Sequence, residues 1–237
     1  VSKVLITGAN GFIGHAVCHT LRKSGHTLSG TSRDQSLRTG PEHIPLYHVP
    51  DIGSETDWTQ PLKGADAVVH LAARVHVIRE RASNSLAQHR RANRDGTKRL
   101  AEAAAEAGVK RLVFVSTVKV NGEATTDRSF SETDPPAPDG PYAISKWEAE
   151  QSLVEVGKNT GLEIVILRAP LVYGPHVKGN FLALFEACAN RKVLPLGAIS
   201  NRRSLLYVYN LASAVAVGLN HPVAAGNTFL VCDGEDL

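Results

Sequence analysis

Residues Val4 to Gly14 read Val-Leu-Ile-Thr-Gly-Ala-Asn-Gly-Phe-Ile-Gly, and this stretch decides the fold. Val4, Leu5 and Ile6 form an apolar run suited to a buried parallel strand. Phe12, Ile13, Ala16, Val17, Thr20 and Leu21 then recur at the three-to-four spacing of a helix face. Between the two lie Gly8, Gly11 and Gly14, spaced Gly-x-x-Gly-x-x-Gly. A helix N-terminus offers unpaired N–H groups and the positive end of its dipole, and glycine lets an anion reach them because no Cβ stands in the way. The stretch therefore reads as a pyrophosphate cradle, with Gly8, Asn10, Gly11, Phe12, Ile13 and Gly14 as candidate contacts. The glycines alone fit a tight turn in any α/β domain; the strand before them and the helix after them favour the cradle.

Downstream, Ser24-Gly25-His26 is a helix stop, and Thr27 to Thr31 predicts a second strand. An acid placed there would hold the ribose 2′-OH of NAD, whereas an arginine accommodates the 2′-phosphate of NADP. Thr31-Ser32-Arg33 occupies the place, so the expected cofactor is NAD(P)(H), with NADP favoured through Arg33. His43 to Val49 predicts a third strand and Ser54 to Leu62 a short helix capped by Ser54. Ala65 to His70 predicts a fourth strand running into Leu71-Ala72-Ala73, whose small side chains leave room for a cofactor across the sheet edge. A long helix is expected from Asn84 to Ala107, stopped by Gly108, with the basic run Arg79 to Arg99 as its solvated face. Arg111 to Ser116 predicts a fifth strand buried on both sides.

A polar, proline-rich loop from Asn121 to Pro141 is long enough to border a site. A helix is expected from Tyr142, and a sixth strand from Leu162 to Leu167. This alternation predicts an α/β protein with a doubly wound parallel sheet of the Rossmann type. We place the dinucleotide-binding domain at residues 1–170. A smaller substrate-binding region, which also returns elements to the sheet, takes residues 171–237.

Composition narrows the class. The 237 residues are 43% apolar and 21% charged, with formal net charge +3, as in an ordinary soluble globular protein. That charge is too small and dispersed for nucleic acid, and no apolar run approaches the ~20 residues of a membrane span. Cys18, Cys188 and Cys232 are odd in number and far apart, which with no leader-like segment points to the cytoplasm. His15 and His19 are four apart on the outer side of the first helix but lack the metalloprotease glutamate, so no metal site is expected.

Tyr142-Ala143-Ile144-Ser145-Lys146 sets a phenol and an ammonium on one helix face beside the long loop. A free tyrosine has a pKa near ~10, so making it a base at neutral pH takes about three units, or ~4 kcal/mol. A neighbouring cation supplies about one to three units. Lys146 together with an oxidised nicotinamide would suffice, and Tyr142 could then exchange a proton with a substrate hydroxyl as hydride leaves or returns. Ser116-Thr117 ends the fifth strand, where a hydroxyl could hold the reacting oxygen. On the other side, Asn201-Arg202-Arg203-Ser204 offers guanidinium forks suited to phosphate.

Together, Thr7 to Gly14, Leu71-Ala72-Ala73, Asn93-Arg94-Asp95-Gly96-Thr97, Ser116-Thr117, Tyr142 to Lys146 and Arg168 to Pro175 resemble the extended short-chain dehydrogenase/reductases. Within them the chain is similar to the NAD-dependent nucleotide-sugar epimerase/dehydratase family. The resemblance implies that Asp51 and Ile52 contact the adenine, that Leu71, Ala72 and Ala73 wall the cofactor, and that Asn93 lies near the nicotinamide end. It implies Thr117, Tyr142 and Lys146 as the catalytic set, with Tyr142 and Lys146 also contacting the cofactor and Lys146 lowering the Tyr142 pKa. It further implies that Asn180 and Arg203, with Thr117, bind a UDP-sugar, and a homodimer is a possible assembly.

Departures from the family pattern sharpen this. Val118-Lys119 stands where dehydratases carry Asp-Glu, which argues against dehydration. Asn121 replaces a usual Tyr before Gly122, and Ala169 a frequent Pro. Lys119 to Glu123, Val177 to Phe181 and Asp233 to Asp236 look most like a bacterial subgroup that reduces UDP-4-keto-6-deoxy-N-acetylglucosamine to UDP-N-acetylquinovosamine. The expected activity is NAD(P)-dependent hydride transfer at C4 of a UDP-sugar, as a 4-keto reductase/4-dehydrogenase or a 4-epimerase. The alternatives are a non-catalytic dinucleotide-binding redox sensor and a reductase of a non-sugar carbonyl.

Overall fold

The computed structural model describes residues 1–75, 85–190 and 202–236. Nine strands and seven α-helices are described among them. β1 (Lys3–Thr7), β2 (Thr27–Ser32), β3 (Leu46–His48), β4 (Ala67–His70), β5 (Arg111–Thr117) and β6 (Glu163–Ala169) lie in one parallel sheet, which β9 (Thr228–Leu230) extends. The order is β3-β2-β1-β4-β5-β6-β9. The sheet therefore switches direction of winding between β1 and β4, where Val4 pairs with Leu28 on one side and Ala67 on the other. A crevice at the strands' carboxyl ends is the ligand site that such a switch creates.

Alternation within the strands divides the core in two. Val4, Ile6, Val69, Val113 and Val165 face α1 (Phe12–Lys23) and α7 (Val208–Asn220), packing on Val17, Leu21, Leu211 and Val215. Leu5, Val68, Leu112, Phe114 and Ile166 face the other layer, meeting Trp58, Leu100, Leu153 and Val156. That layer holds α2 (Thr59–Leu62), α4 (Gly96–Glu106) and α5 (Gly140–Thr160). Because side chains alternate across a strand, a strand apolar throughout is a strand covered on both faces, as the sequence predicts.

Several boundaries differ from expectation for local reasons. Ser54 caps no helix. The Thr56 hydroxyl accepts from the Gly53 N–H at 2.8 Å and donates to the Asp51 carbonyl at 3.1 Å, winding 51–56 as a turn. The helix starts only at Thr59, whose N–H is taken by Asp57 at 2.9 Å. The third strand shrinks to Leu46–His48 because Pro41–His43 forms a 3-10 turn with Glu42 and His43 at positive φ.

The expected long helix is broken rather than continuous: α3 (Ser85–His89), a π-helical stretch (Arg90–Asp95), then α4. Its predicted start at Asn84 lies outside the described residues, as do residues 79–84 of the basic run. The rest of that run is not simply a solvated face. Arg90 and Arg94 reach Glu148 of α5 at 2.5 and 3.7 Å, and Arg91 pairs with Asp51.

Beyond Ala169 the chain makes β7 (Leu171–Tyr173) and β8 (Leu205–Tyr207), a separate parallel pair, with α6 (Asn180–Ala189) between them in sequence. It then returns to the main sheet through α7 and β9, where Ile166 pairs with Thr228. Among the described residues, no helix is long and apolar enough to cross a membrane.

Candidate active site

The cradle has the geometry that its glycines require. Gly8 takes φ 71°, and a Cβ there would come within 3.0 Å of the Ala72 nitrogen. Gly14, in the first turn of α1, lies against the preceding turn so closely that a Cβ would sit 2.3 Å from the Ala9 carbonyl and 2.4 Å from that of Gly8. Gly11 is the N-cap of α1, with no side chain capping the helix and no acid in its first turn. Those N–H groups and the dipole are left for an anion. Phe12 and Ile13 pack partly into the core, and Asn10 is exposed at the turn.

Gly14→Ala is thus expected to lower stability by about 3 kcal/mol, since backbone carbonyls rather than a yielding side chain meet the new methyl. A urea unfolding midpoint equal to that of the unsubstituted chain would show that the turn can relax.

Around the crevice, Ser32 is buried at the end of β2 and Arg33 is exposed just beyond it. Ser32 Oγ accepts from the Asp34 N–H at 3.0 Å, which turns the chain away from the strand. Asp51 is exposed and ion-paired with Arg91, beside a cleft of about 600 Å³ lined also by Tyr47, Val49 and Gln60. Ile52 lies on Gly96, where a Cβ would come within 2.4 Å of its side chain. Leu71, Ala72 and Ala73 leave the carboxyl end of β4 beside Gly8.

Asn93 sits in the π-helical stretch and is buried. Its amide accepts from the Arg74 N–H at 2.7 Å and donates to the Arg74 carbonyl and to Ser145 Oγ, both at 3.0 Å. The side chain thereby ties the segment after β4 to α5. A widened helical turn at this position is what lets one amide span both.

Thr117 ends β5, and its Oγ1 accepts from the Lys119 N–H at 3.3 Å, capping a 3-10 turn over Val118–Val120. Its own O–H remains available to donate. Tyr142 and Lys146 occupy one face of α5. The Tyr142 ring meets the His89 ring edge-on at 6.4 Å, and burial pushes the phenol up to about 12. Lys146 is 2% exposed, donates from Nζ to the Val115 carbonyl at 2.8 Å and lies 3.7 Å from the Phe114 ring centre. Burial lowers its ammonium to about 7, against a smaller opposing effect of Glu150.

The protein by itself therefore moves both groups toward their neutral forms. This is the reverse of the expected lowering of Tyr142. The reason is that desolvation penalises phenolate and ammonium alike.

Sequence reading missed the support beneath this face. Glu150, one turn beyond Lys146, is buried and takes two nitrogens of the Arg168 guanidinium, with Arg168 Nη2 at 2.7 Å, while Ser116 Oγ donates to it at 2.5 Å. Ser116 is thus a strut and not a second site hydroxyl. Asn121 accepts from Arg168 at 3.0 Å and donates to the Ser131 carbonyl at 2.9 Å, hanging the long loop on the same ion pair. The signal that could have found Glu150 was its position at the same four-residue interval beyond Lys146.

On the substrate side, Asn180 is the first residue of α6 and Arg203 is exposed just before β8. Lys119 pairs with Glu123 at 2.7 Å on the surface. His15 lies beside His176, His19 bonds Glu42 at 2.9 Å, and no cluster of metal-ligating side chains occurs among the described residues.

Known proteins match this arrangement along almost its whole length. A UDP-glucose 4-epimerase from Vibrio cholerae is 39% identical over 242 residues, which cover 99% of this chain and 71% of that protein. The structure of a UDP-N-acetylglucosamine 4-epimerase from Bacillus cereus superposes with a TM-score of 0.85 at 26% identity, covering 100% of this chain and 77% of the other. A UDP-glucuronic acid 4-epimerase from the same organism, solved with UDP-glucuronic acid and NAD, superposes with a TM-score of 0.82 at 25% identity, covering 99% and 79%. The sequence profile of one family spans residues 4–232, from β1 to just beyond β9. The chain belongs to the NAD dependent epimerase/dehydratase family.

Proposed function

We propose that the protein interconverts UDP-sugars epimeric at C4, using a dinucleotide held between the glycine turn and α5. The observation that carries the proposal is the placing of Thr117, Tyr142 and Lys146 at the carboxyl edge of the sheet, two strands from an uncapped glycine helix start. The uncapped α1 N-terminus and the close approach at Gly8 fit a pyrophosphate. Asn10 to Gly14 would hold it, Asp51 and Ile52 would meet the adenine, and Leu71 to Ala73 and Lys146 would border the nicotinamide ribose. When bound, NAD supplies a hydride acceptor and a positive ring.

Thr117 donates to the sugar O4 and fixes it near Tyr142. Tyr142 takes the O4 proton as the C4 hydride departs, and returns it when the resulting ketone is reduced from its other face. Lys146 keeps one ammonium beside that phenol. Asn180 and Arg203 are proposed to hold the UDP-sugar, Arg203 through its guanidinium fork. Residues 1–170 carry the cofactor and 171–237 the sugar in this reading. A homodimer is part of the proposal and is read out by sedimentation.

A second reading is a net 4-keto reductase of the UDP-N-acetylquinovosamine kind, and exposed Arg33 beyond buried Ser32 favours it, because NADPH is a reductant drawn from solution. The UDP-glucuronic acid 4-epimerase structure named above and a Thermus thermophilus UDP-glucose 4-epimerase structure hold NAD, which supports the first reading. Ser32→Asp/Arg33→Ala is expected to lower the NADP:NAD affinity ratio at least ~10-fold if Arg33 meets a 2′-phosphate. An unchanged ratio removes that role.

The deciding experiment incubates the protein with UDP-glucose, UDP-N-acetylglucosamine and their 4-keto derivatives. Exchange of C4 configuration without net cofactor consumption supports the epimerase. Stoichiometric oxidation of NADPH by a 4-keto sugar supports the reductase, and no reaction with any of them sinks both.

A further inference from the structure

We infer that His70 is a positioning residue for the dinucleotide: a neutral imidazole fixed in its Nε2–H tautomer, whose bond to Thr7 holds the Leu71 and Ala72 amides against Gly8. The inference rests on the dinucleotide reading above, and its tautomer part can be tested separately.

Donor counting gives the tautomer. Thr7 Oγ1 lies 3.2 Å from the backbone nitrogens of both Leu71 and Ala72, and 2.6 Å from His70 Nδ1. Amide N–H groups only donate, and a hydroxyl has two lone pairs and one proton. The Ala72 N–H takes one lone pair and the Leu71 N–H, shared with the Thr7 carbonyl at 3.3 Å, takes the other, so the proton goes to Nδ1. With Nδ1 accepting, the ring proton is on Nε2, which donates to Thr97 Oγ1 at 2.9 Å. A protonated ring would bring a third donor to Thr7 Oγ1 and push the Leu71 N–H wholly onto the Thr7 carbonyl, 3.3 Å away.

The surroundings keep the ring neutral. His70 is 1% exposed and stacks on Phe114 with ring centres 5.5 Å apart. The ionisable group acting on it is Lys146 of α5, held over the same Phe114 ring, while β1 and α4 present the hydroxyls of Thr7 and Thr97. Burial is the larger cause and Lys146 the smaller in pushing the imidazole down to about 3.

Thr7–His70–Thr97 thus joins the end of β1, the end of β4 and the start of α4. These three meet where Ala72 comes so near Gly8 that only hydrogen fits between. A small displacement of Ala72 would close or open the wall against which the cofactor's sugar-phosphate lies. Loss of one such buried hydrogen bond is worth about 10-fold in an equilibrium.

The test combines a spectroscopic signature with a kinetic split. Two-bond proton–nitrogen spectra of histidine-labelled protein, with His70 identified by its loss in His70→Phe or its shift in Thr7→Val, are expected to show a pyridine-type Nδ1 and a pyrrole-type Nε2. Neither should move between about pH 5 and 9. His70→Phe keeps the stack on Phe114 and removes both hydrogen bonds. It is expected to bind NAD about 10-fold more weakly with kcat at saturation within about 2-fold, and His70→Asn to recover part of the loss. If His70→Phe fails to fold, Thr7→Val carries the same expectation.

A ring that titrates in that range, or that carries its proton on Nδ1, overturns the tautomer. A folded His70→Phe that binds NAD as tightly as the unsubstituted protein overturns the positioning role alone. Unsubstituted protein that shows the tautomer but binds no NAD overturns that role together with the dinucleotide reading.

Discussion

Tyr142→Phe is expected to bind NAD within about 3-fold of the unsubstituted protein while turnover with its UDP-sugar falls by about 10³-fold. The ring that meets His89 at 6.4 Å is kept, so α5 and the crevice keep their shape. Only the proton-transferring oxygen is lost. Because burial holds the phenol at about 12, forming its anion near neutral pH demands on the order of 7 kcal/mol from its partners. That is more than the sequence alone suggests, since a free phenol starts near ~10. Both kcat and kcat/KM should fall together, as for a group acting in the transition state. A variant that keeps more than a tenth of the turnover would remove Tyr142 from its role.

Lys146→Met separates activity from stability. The expected loss of turnover is about 10²–10³-fold, because the ammonium that favours the phenolate is gone. Folding should respond in the opposite direction. Lys146 titrates near 7 when folded, below its ordinary 10.5, so between those values the unfolded chain binds a proton that the folded chain has shed. Stability from this group therefore rises with pH across that window, and below 7 the full cost of a buried ammonium remains.

At pH ~6 the thioether removes that cost and forfeits one hydrogen bond to the Val115 carbonyl. A rise in Tm of about 4 °C is expected there, shrinking toward pH ~9. Thermal scans at the two pH values check it. A Tm that falls at both would mean that the Lys146 contacts outweigh its desolvation.

The sheet was legible because its strands obey one rule. Val4 to Ile6 and Leu112 to Val115 are apolar without alternation, and only a strand covered on both faces needs that. The glycine turn was legible for a related reason, since Gly8 and Gly14 mark close backbone approaches that no other residue allows. Local hydrogen bonding is harder to read. Ser54 carries the chemistry of a cap, yet the Thr56 hydroxyl organises the turn first and delays the helix to Thr59.

The π-helical stretch at Arg90–Asp95 interrupts an otherwise continuous helical pattern. It goes with tertiary contacts, namely Asn93 reaching both Arg74 and Ser145. In the candidate site, the spacing of Tyr142 and Lys146 predicts that both lie on one helix, and both lie on α5. Glu150, Arg168 and Asn121 escaped because each draws its meaning from a partner 18 to 47 residues away. The direction of the pKa changes was unreadable for the same reason, as burial is a property of the packed layers and not of the motif.

The central claim is that Tyr142 and Lys146 serve reversible hydride removal at C4 of a UDP-sugar. Its most direct measurement uses a UDP-sugar carrying deuterium at C4, incubated with the protein in ordinary water and analysed by NMR for configuration and label. The account predicts the C4 epimer with deuterium retained, because a hydride that leaves to a bound dinucleotide returns to the same carbon without meeting solvent. Epimer with the label washed out would mean proton abstraction from carbon, and would contradict the account.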